Sequence, residues 1–305
     1  MSHDTRTEVD TIPNPLVLDP TIFVQLVVLG VLLGGIYGIV SVGLTIIFGV
    51  MDVVNIAHSA FVVVGMYTVW VVAGQGLSPF LGLPVAGVLL FAVGVAIQRS
   101  AIAPLVEERQ SSRLLVTIAF SIVIIAAVEG TFGPTPRNLD LDLGSIAVGG
   151  VYVIRGQLYA LVVAAATFAA VWVFLHRTHT GRAIRGTADN RTSAAYAGVD
   201  VERIDALTFG LGAGLAGLAG GLVTFVQPFD PYLGNTYLTI AFVVVVLGGL
   251  GSIPGTVVGG LVVGLLHVFG SYFLPGSYYN VLILVVFVGL LVFRPTGLFG
   301  GEVGD

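Results

Sequence analysis

Asn55, His58 and Ser59 stand three and four positions apart, so a helix places their amide, imidazole and hydroxyl on one face. With Asp52 just before them, they offer the donors and acceptors that a solute's ammonium or carboxylate needs. The plainer alternative has Asn55 capping a helix, His58 satisfying a backbone carbonyl and Asp52 lying among lipid headgroups. A second polar set comes late, in the run Gly248-Gly249-Leu250-Gly251-Ser252-Ile253-Pro254. There Gly248, Gly249 and Gly251 break a helix, Ser252 can cap the next one, and Pro254 suits a first helical turn. Helix ends inside a membrane can bind polar ligand groups, so both sets are candidates for a solute path. The third set is cationic: five of the twelve Lys+Arg residues, Arg177, Arg182, Arg185, Arg191 and Arg203, fall between His176 and Asp205.

Enzyme chemistry finds little to work with. Glu129 falls at the outer end of an apolar stretch, and His267 stands alone on one, as a satisfied core histidine would. His176 and His179 lie three apart without a third ligand beside them, so no metal site is expected. No G-x-S-x-G elbow occurs, and no G-x-x-x-x-G-K-[ST], so the chain cannot itself supply a P-loop ATPase. With no cysteine, disulfides and thiol catalysis are excluded. No cofactor is expected in this chain.

The elements that must carry these residues are membrane helices. The 305 residues are 56% hydrophobic and 10% charged, against roughly a quarter charged in soluble domains. Apolar stretches long enough to span run over 21–50, 56–73, 80–97, 114–128, 158–175, 206–226, 237–273 and 281–293. The seventh is too long for one span and is interrupted at Gly248. These give an all-α polytopic fold of about eight or nine transmembrane segments with discontinuous helices. The first stretch, about 45 Å as one helix, is expected to break at Gly43, Thr45 and Gly49. Gly210, Gly214, Gly217 and Gly221, and likewise Gly30, Gly34 and Gly38, repeat at helix-packing spacing and predict close contacts within the chain.

Arginine placement sets the orientation. The loops with Arg99, Arg109 and Arg113, with the five arginines, and with Arg294 belong in the cytoplasm, leaving Arg6, Arg137 and Arg155 outside. The chain is then a 1–20 external tail, a single 21–300 membrane domain and a 301–305 cytoplasmic tail, in the cell membrane. Segment 130–156, with Asp140 and Asp142, becomes the largest external loop, and Val148–Ile154 has the makings of a hairpin. Segment 176–205 is a cytoplasmic loop with a short helix. Asn190 caps it, Gly198 stops it, and Ala188, Thr192, Ala195, Tyr196 and Val199 keep helical spacing. Asp200 caps the helix that follows, with Glu202 in its first turn.

Residue identities sharpen this reading. Gly181-Arg182-Ala183-Ile184-Arg185, then Ala194-Ala195-Tyr196-Ala197-Gly198-Val199, then Ala206-Leu207-Thr208-Phe209 resembles the cytoplasmic coupling loop of permease subunits in branched-chain amino acid (LIV-type) ABC transporters. Asn55-Ile56-Ala57-His58-Ser59-Ala60-Phe61 with Gly65 and Tyr67 is similar to that family's N-F-A-H-G-E segment. Ser59 replaces the usual Gly, and Ala60 stands at the frequent acidic position. The Val246–Gly255 run and Arg294-Pro295-Thr296-Gly297-Leu298-Phe299-Gly300 also resemble family segments. The resemblance implies the ABC importer permease fold and a path for branched-chain or related amino acids. It also implies a second permease, two ATP-binding subunits that carry ATP and magnesium, and an external solute-binding protein. In that scheme Gly181, Arg182, Arg185, Asn190, Ala194, Ala195, Tyr196 and Gly198 couple the path to the ATPases. Two other classes remain: a stand-alone secondary transporter or channel for a small polar solute such as urea or short amides, and an intramembrane enzyme.

Overall fold

The computed structural model describes residues 19–105, 110–139, 143–294 and 296–299. Expectations that fall on residues 1–18, Arg109, Asp140, Asp142, Pro295, Gly300 and the 301–305 tail lie outside the described residues. Helix α1 spans Pro20–Met51, α2 His58–Gly74, α3 Pro79–Ile97, α4 Gln110–Phe132 and α5 Arg155–Arg177. Two short helices of the 176–205 loop follow, α6 His179–Asp189 and α7 Arg191–Tyr196. The chain closes with α8 Val201–Val223, α9 Leu233–Gly248, α10 Ile253–Phe273 and α11 Tyr278–Phe293. Six of these (α1, α3, α4, α5, α8 and α10) are long and apolar enough to cross a membrane, while α2, α9 and α11 are shorter apolar helices.

The expected break at Gly43, Thr45 and Gly49 is not present: α1 runs unbroken for 32 residues, about 48 Å at 1.5 Å per residue. All three residues have other work. A Cβ on Gly43 would lie 2.5 Å from the Gly212 carbonyl oxygen, and one on Gly49 would lie 2.9 Å from Gly251 Cα. The Thr45 hydroxyl donates to the Ser41 carbonyl at 3.0 Å and sits 2.7 Å from Thr256 Oγ1, so it is satisfied without unwinding the helix. The interruption comes just after, over 52–57. Asp52 takes a left-handed conformation (φ 51°) that ends α1, and the chain turns back into the bundle before α2 begins.

The second interruption falls where the glycines put it. Gly249 (φ 103°) and Gly251 (φ 80°) turn the chain, and Ser252 Oγ accepts from Gly255 N–H at 3.1 Å to cap α10. α9 and α10 then run back to back as a hairpin, close enough that a Cβ on Gly255 would sit 2.0 Å from the Gly248 carbonyl oxygen.

Glycine stripes bring the helices together within this chain, as their spacing predicts. α1 packs most extensively on α10, and α8 lies against α1, α2 and α3. The deepest core follows from that arrangement, with Phe61, Phe209, Ile39, Ile47 and Leu222 among its fully enclosed side chains. By contrast α4 and α11 turn Leu115, Ile122, Val123, Val285, Val288 and Val292 outward, as membrane helices facing lipid or another subunit do.

At the opposite end from α6 and α7, strands β1 Ser145–Val148 and β2 Val151–Ile154 form the expected antiparallel hairpin, with Gly149 and Gly150 both at positive φ in its turn. The Gln25 amide clamps it to α1, donating to the Tyr152 carbonyl and accepting from Tyr152 N–H, each at 2.6 Å. Nearby, Arg137 exchanges backbone hydrogen bonds with Phe229 and lays its guanidinium over the Trp70 ring.

Candidate translocation and coupling site

The first polar set is inside the bundle. His58 is fully buried, and its Nε2 lies 2.8 Å from the Val40 carbonyl oxygen. Since Val40 precedes the end of α1 by about 16 Å of helix rise, α2 begins well within the depth of the bundle. The segment before it is held by α4. Gln110 Nε2 donates to the Asp52 carbonyl at 3.0 Å, Thr117 Oγ1 accepts from Ile56 N–H at 3.3 Å, and Ser121 Oγ lies 3.0 Å from Ser59 Oγ. Ser59 also donates to the Ile56 carbonyl at 3.0 Å. The structure thus spends His58 Nε2 and Ser59 Oγ on local contacts.

Asn55 is different. It is fully buried, yet neither its Nδ2 nor its Oδ1 has a hydrogen-bond partner in the described chain. Its side chain does not cap α2, whose N-cap is Ala57. An unpaired buried amide is costly, about 1–3 kcal/mol per group, which singles it out among the four. His58 Nδ1 is likewise buried and unpartnered.

The second set sits on the other flank of α1. Gly251 Cα packs against Gly49, and the last carbonyls of α9 are taken by the chain's own end: Leu298 N–H donates to Leu247 O at 2.9 Å and Phe299 N–H to Gly248 O at 3.1 Å. The cationic loop opens on a cavity of about 560 Å³, which Asp52 of the first set and Leu250 of the second run line but Asn55, His58, Ser59, Gly248, Gly249, Gly251 and Ser252 do not. Its walls include Gly49 and Asp52 from the end of α1, Leu250, Arg113 from α4, and Asn190 at the head of α7.

The loop itself is an ordered platform. Thr178 Oγ1 accepts from Gly181 N–H at 2.9 Å to start α6, and Gly181 packs so tightly on α5 that a Cβ would lie 2.2 Å from the Phe174 carbonyl oxygen. Arg185 Nε donates to the Leu175 carbonyl at 3.1 Å, satisfying an end group of α5, while Arg182 points outward. Leu175, Ile184 and Ile204 form a small apolar core beneath. Asn190 Oδ1 accepts from Ser193 N–H at 2.8 Å, the cap its residue type predicts. Ala188 does not share the face of α7, because the extended backbone at Asn190 leaves it on α6. Gly198 (φ 84°) stops α7, with Gly198 N–H donating to Ala195 O and Val199 N–H to Ala194 O, both at 3.0 Å. Of α7 only Ala194 is buried; Ala195 is exposed, and Tyr196 is 89% exposed.

Three features escaped the sequence reading. Thr117 and Ser121 of α4 brace the interrupted segment, His267 Nδ1 meets Tyr37 Oη at 2.7 Å, and Arg191 pairs with Asp205. For the last there was a signal: an acid inside the first turns of an apolar helix needs a partner.

Comparison with known proteins gives the family and the fold. A family model described as the permease component of a branched-chain amino acid transport system matches residues 26–291. The chain is similar to LivH, a high-affinity branched-chain amino acid transport system permease protein. The Salmonella typhimurium protein is 29% identical and the Escherichia coli K12 protein 30%, each over 91% of this chain and 96% of the relative. Among solved structures, PsaBC from Streptococcus pneumoniae, in complex with a Fab, superposes with a TM-score of 0.52 at 14% identity, covering 89% of this chain and 92% of that one.

Proposed function

This chain belongs to the permease family of branched-chain amino acid transport systems, and we propose from that premise that it forms part of the membrane path of an ABC importer for branched-chain or related amino acids. It has a permease partner in the membrane, two ATP-binding subunits against α6 and α7, and a solute-binding protein on the hairpin side. ATP and magnesium belong to the ATP-binding subunits. The observation that carries this reading is the match along nearly the whole chain, joined to a short capped helix that offers Tyr196 to a partner rather than to its own core. Asn55 and His58 meet the solute from the α2 side, with Asp52 and Ser59 beside them. Gly248, Gly249, Gly251 and Ser252 shape the opposite wall.

Movement of the ATP-binding subunits displaces α7, and the bundle rocks around the path. The full complex in proteoliposomes should take up labelled leucine, isoleucine or valine only with ATP inside. Uptake by this chain without ATP-binding subunits would instead support a stand-alone transporter, and preference for urea would reassign the solute. In the same system Gly198→Val should insert normally yet lose uptake about tenfold or more. A Cβ there meets nothing within 4 Å, so the defect comes from backbone strain of about 1–3 kcal/mol at φ 84° rather than from a clash.

Orientation has its own check, made simple by a chain without cysteine. Val148→Cys, on the hairpin, should react with an impermeant thiol reagent on intact cells, and Tyr196→Cys only after permeabilisation. The reverse pattern would turn the whole arrangement over.

A further inference from the structure

We propose that the Arg191–Asp205 ion pair is the positioning latch that makes α7 move with α8, so that a push on α7 reaches the membrane helices. The proposal rests on the reading of α7 as the ATPase-facing helix and adds to it the residues through which displacement is passed on.

Arg191 is the first residue of α7, and Asp205 lies in the second turn of α8. The pairing is bidentate: Nη1 donates to Oδ1 at 3.0 Å and Nη2 to Oδ2. The carboxylate is almost wholly enclosed, its side chain 3% exposed, whereas the arginine is 40% exposed. A two-pronged guanidinium–carboxylate contact fixes angle as well as distance, which a lysine or a single hydrogen bond does not.

The topology gives the contact its meaning. The far end of α7 is joined to α8 by only Ala197–Asp200, a segment set by the Gly198 turn and by the Asp200 side chain, which accepts from Arg203 N–H at 3.0 Å. The near end of α7 follows Asn190 directly, the extended residue that also ends α6. Without the ion pair, a helix of six residues could turn about these two non-helical points and absorb displacement locally. With it, α7 is tied to α8 at both ends. α8 in turn has little freedom against the membrane core, because its glycines lie against α1, α2 and α3. A Cβ on Gly212 would lie 2.7 Å from the Gly43 carbonyl oxygen, and one on Gly220 would lie 1.9 Å from the Val62 carbonyl oxygen. The line of force is therefore α7, then Arg191–Asp205, then α8, then α1 and α2, between which Asn55 lies and the second of which begins at His58.

The full complex in proteoliposomes, with ATP hydrolysis and solute uptake measured on the same sample, tests this. Arg191→Ala and Asp205→Asn should keep assembly and hydrolysis while solute moved per ATP falls about tenfold, within the usual range of a coupling free energy. The charge-exchanged pair, Arg191→Asp with Asp205→Arg, should recover part of that ratio. Arg191→Cys with Asp205→Cys should be uncoupled until a short bis-thiosulfonate bridges the two thiols, and coupled afterwards. Recovery on bridging is a result that loss of folding cannot imitate, and Arg191→Lys serves as the mild variant where Arg191→Ala assembles poorly. A wild-type ratio in Arg191→Ala, or no recovery on bridging, overturns the latch. If Gly198→Val is still uncoupled in that case, the docking role of α7 stands and only the latch is lost. If Gly198→Val also keeps its coupling, the docking role falls with it.

Discussion

Gly264→Leu is expected to leave no recoverable folded permease, and Gly264→Ala to yield a protein less stable by about 1–3 kcal/mol, the usual cost of overpacking a close contact. The ground is the α1–α10 seam. A Cβ at Gly264 would fall 2.4 Å from Gly34 N and 2.5 Å from the Gly30 carbonyl oxygen, and one at Gly260 would fall 2.7 Å from Gly38 N. These are backbone atoms on a continuous helix, so no rotamer change relieves the clash and the helices must part. In a membrane the loss is not offset by hydrophobic collapse, since lipid tails are as apolar as the helix faces; close approach is itself the driving contact. Gly130→Ala is the control. A Cβ at Gly130, inside α4, meets nothing within 4 Å, so helix propensity should leave stability equal or higher by roughly 0.5–1 kcal/mol. Thermal unfolding of the detergent-purified protein, read by size-exclusion profile, separates the two. Equal behaviour of Gly264→Ala and Gly130→Ala would show that the seam does not hold the fold.

The same seam shows why some of the fold could be read from the chain and some could not. Span positions follow from apolar runs, and the caps at Asn190, Asp200 and Ser252 from residue type, because both are local properties. Gly30, Gly34 and Gly38 announce a close contact by spacing, but only the three-dimensional arrangement says that α10 makes it. Gly43 and Gly49 illustrate the limit. A glycine that breaks a helix and one that admits a neighbouring backbone look identical in sequence, and here the neighbours Gly212 and Gly251 are far along the chain. Thr45 was ambiguous for the same reason, its partner Thr256 being on α10. In the 176–205 loop, Gly198 and the α7 helix are local and legible. Arg191–Asp205 joins two elements across a turn, and charge patterning cannot choose which of five arginines the acid takes.

Replacing Asn55 by leucine should separate function from folding in the membrane path. The side chains are close in volume, and the native amide is enclosed with both polar atoms unpaired in the described chain. Removing it relieves desolvation of about 1–3 kcal/mol per group, so the variant should unfold at the same temperature as the parent or above it. Uptake should move the other way. A hydrogen bond to a charged solute group is worth about 1.5–3 kcal/mol, so its loss should lower transport roughly ten- to hundredfold at limiting solute. His58→Ala supplies the contrast, since its Nε2 contact with the Val40 carbonyl fixes α2 against α1 and its removal should cost stability as well as uptake. A residue kept only to hold the interrupted segment in place would give the opposite result at Asn55: a lower unfolding temperature, with transport falling only as far as the amount of folded protein. Retained uptake in a fully stable Asn55→Leu protein would remove the amide from the path. What makes Asn55 the sharper probe is that no described residue of its own chain uses the amide, so a transport defect in a stable variant points to what passes it.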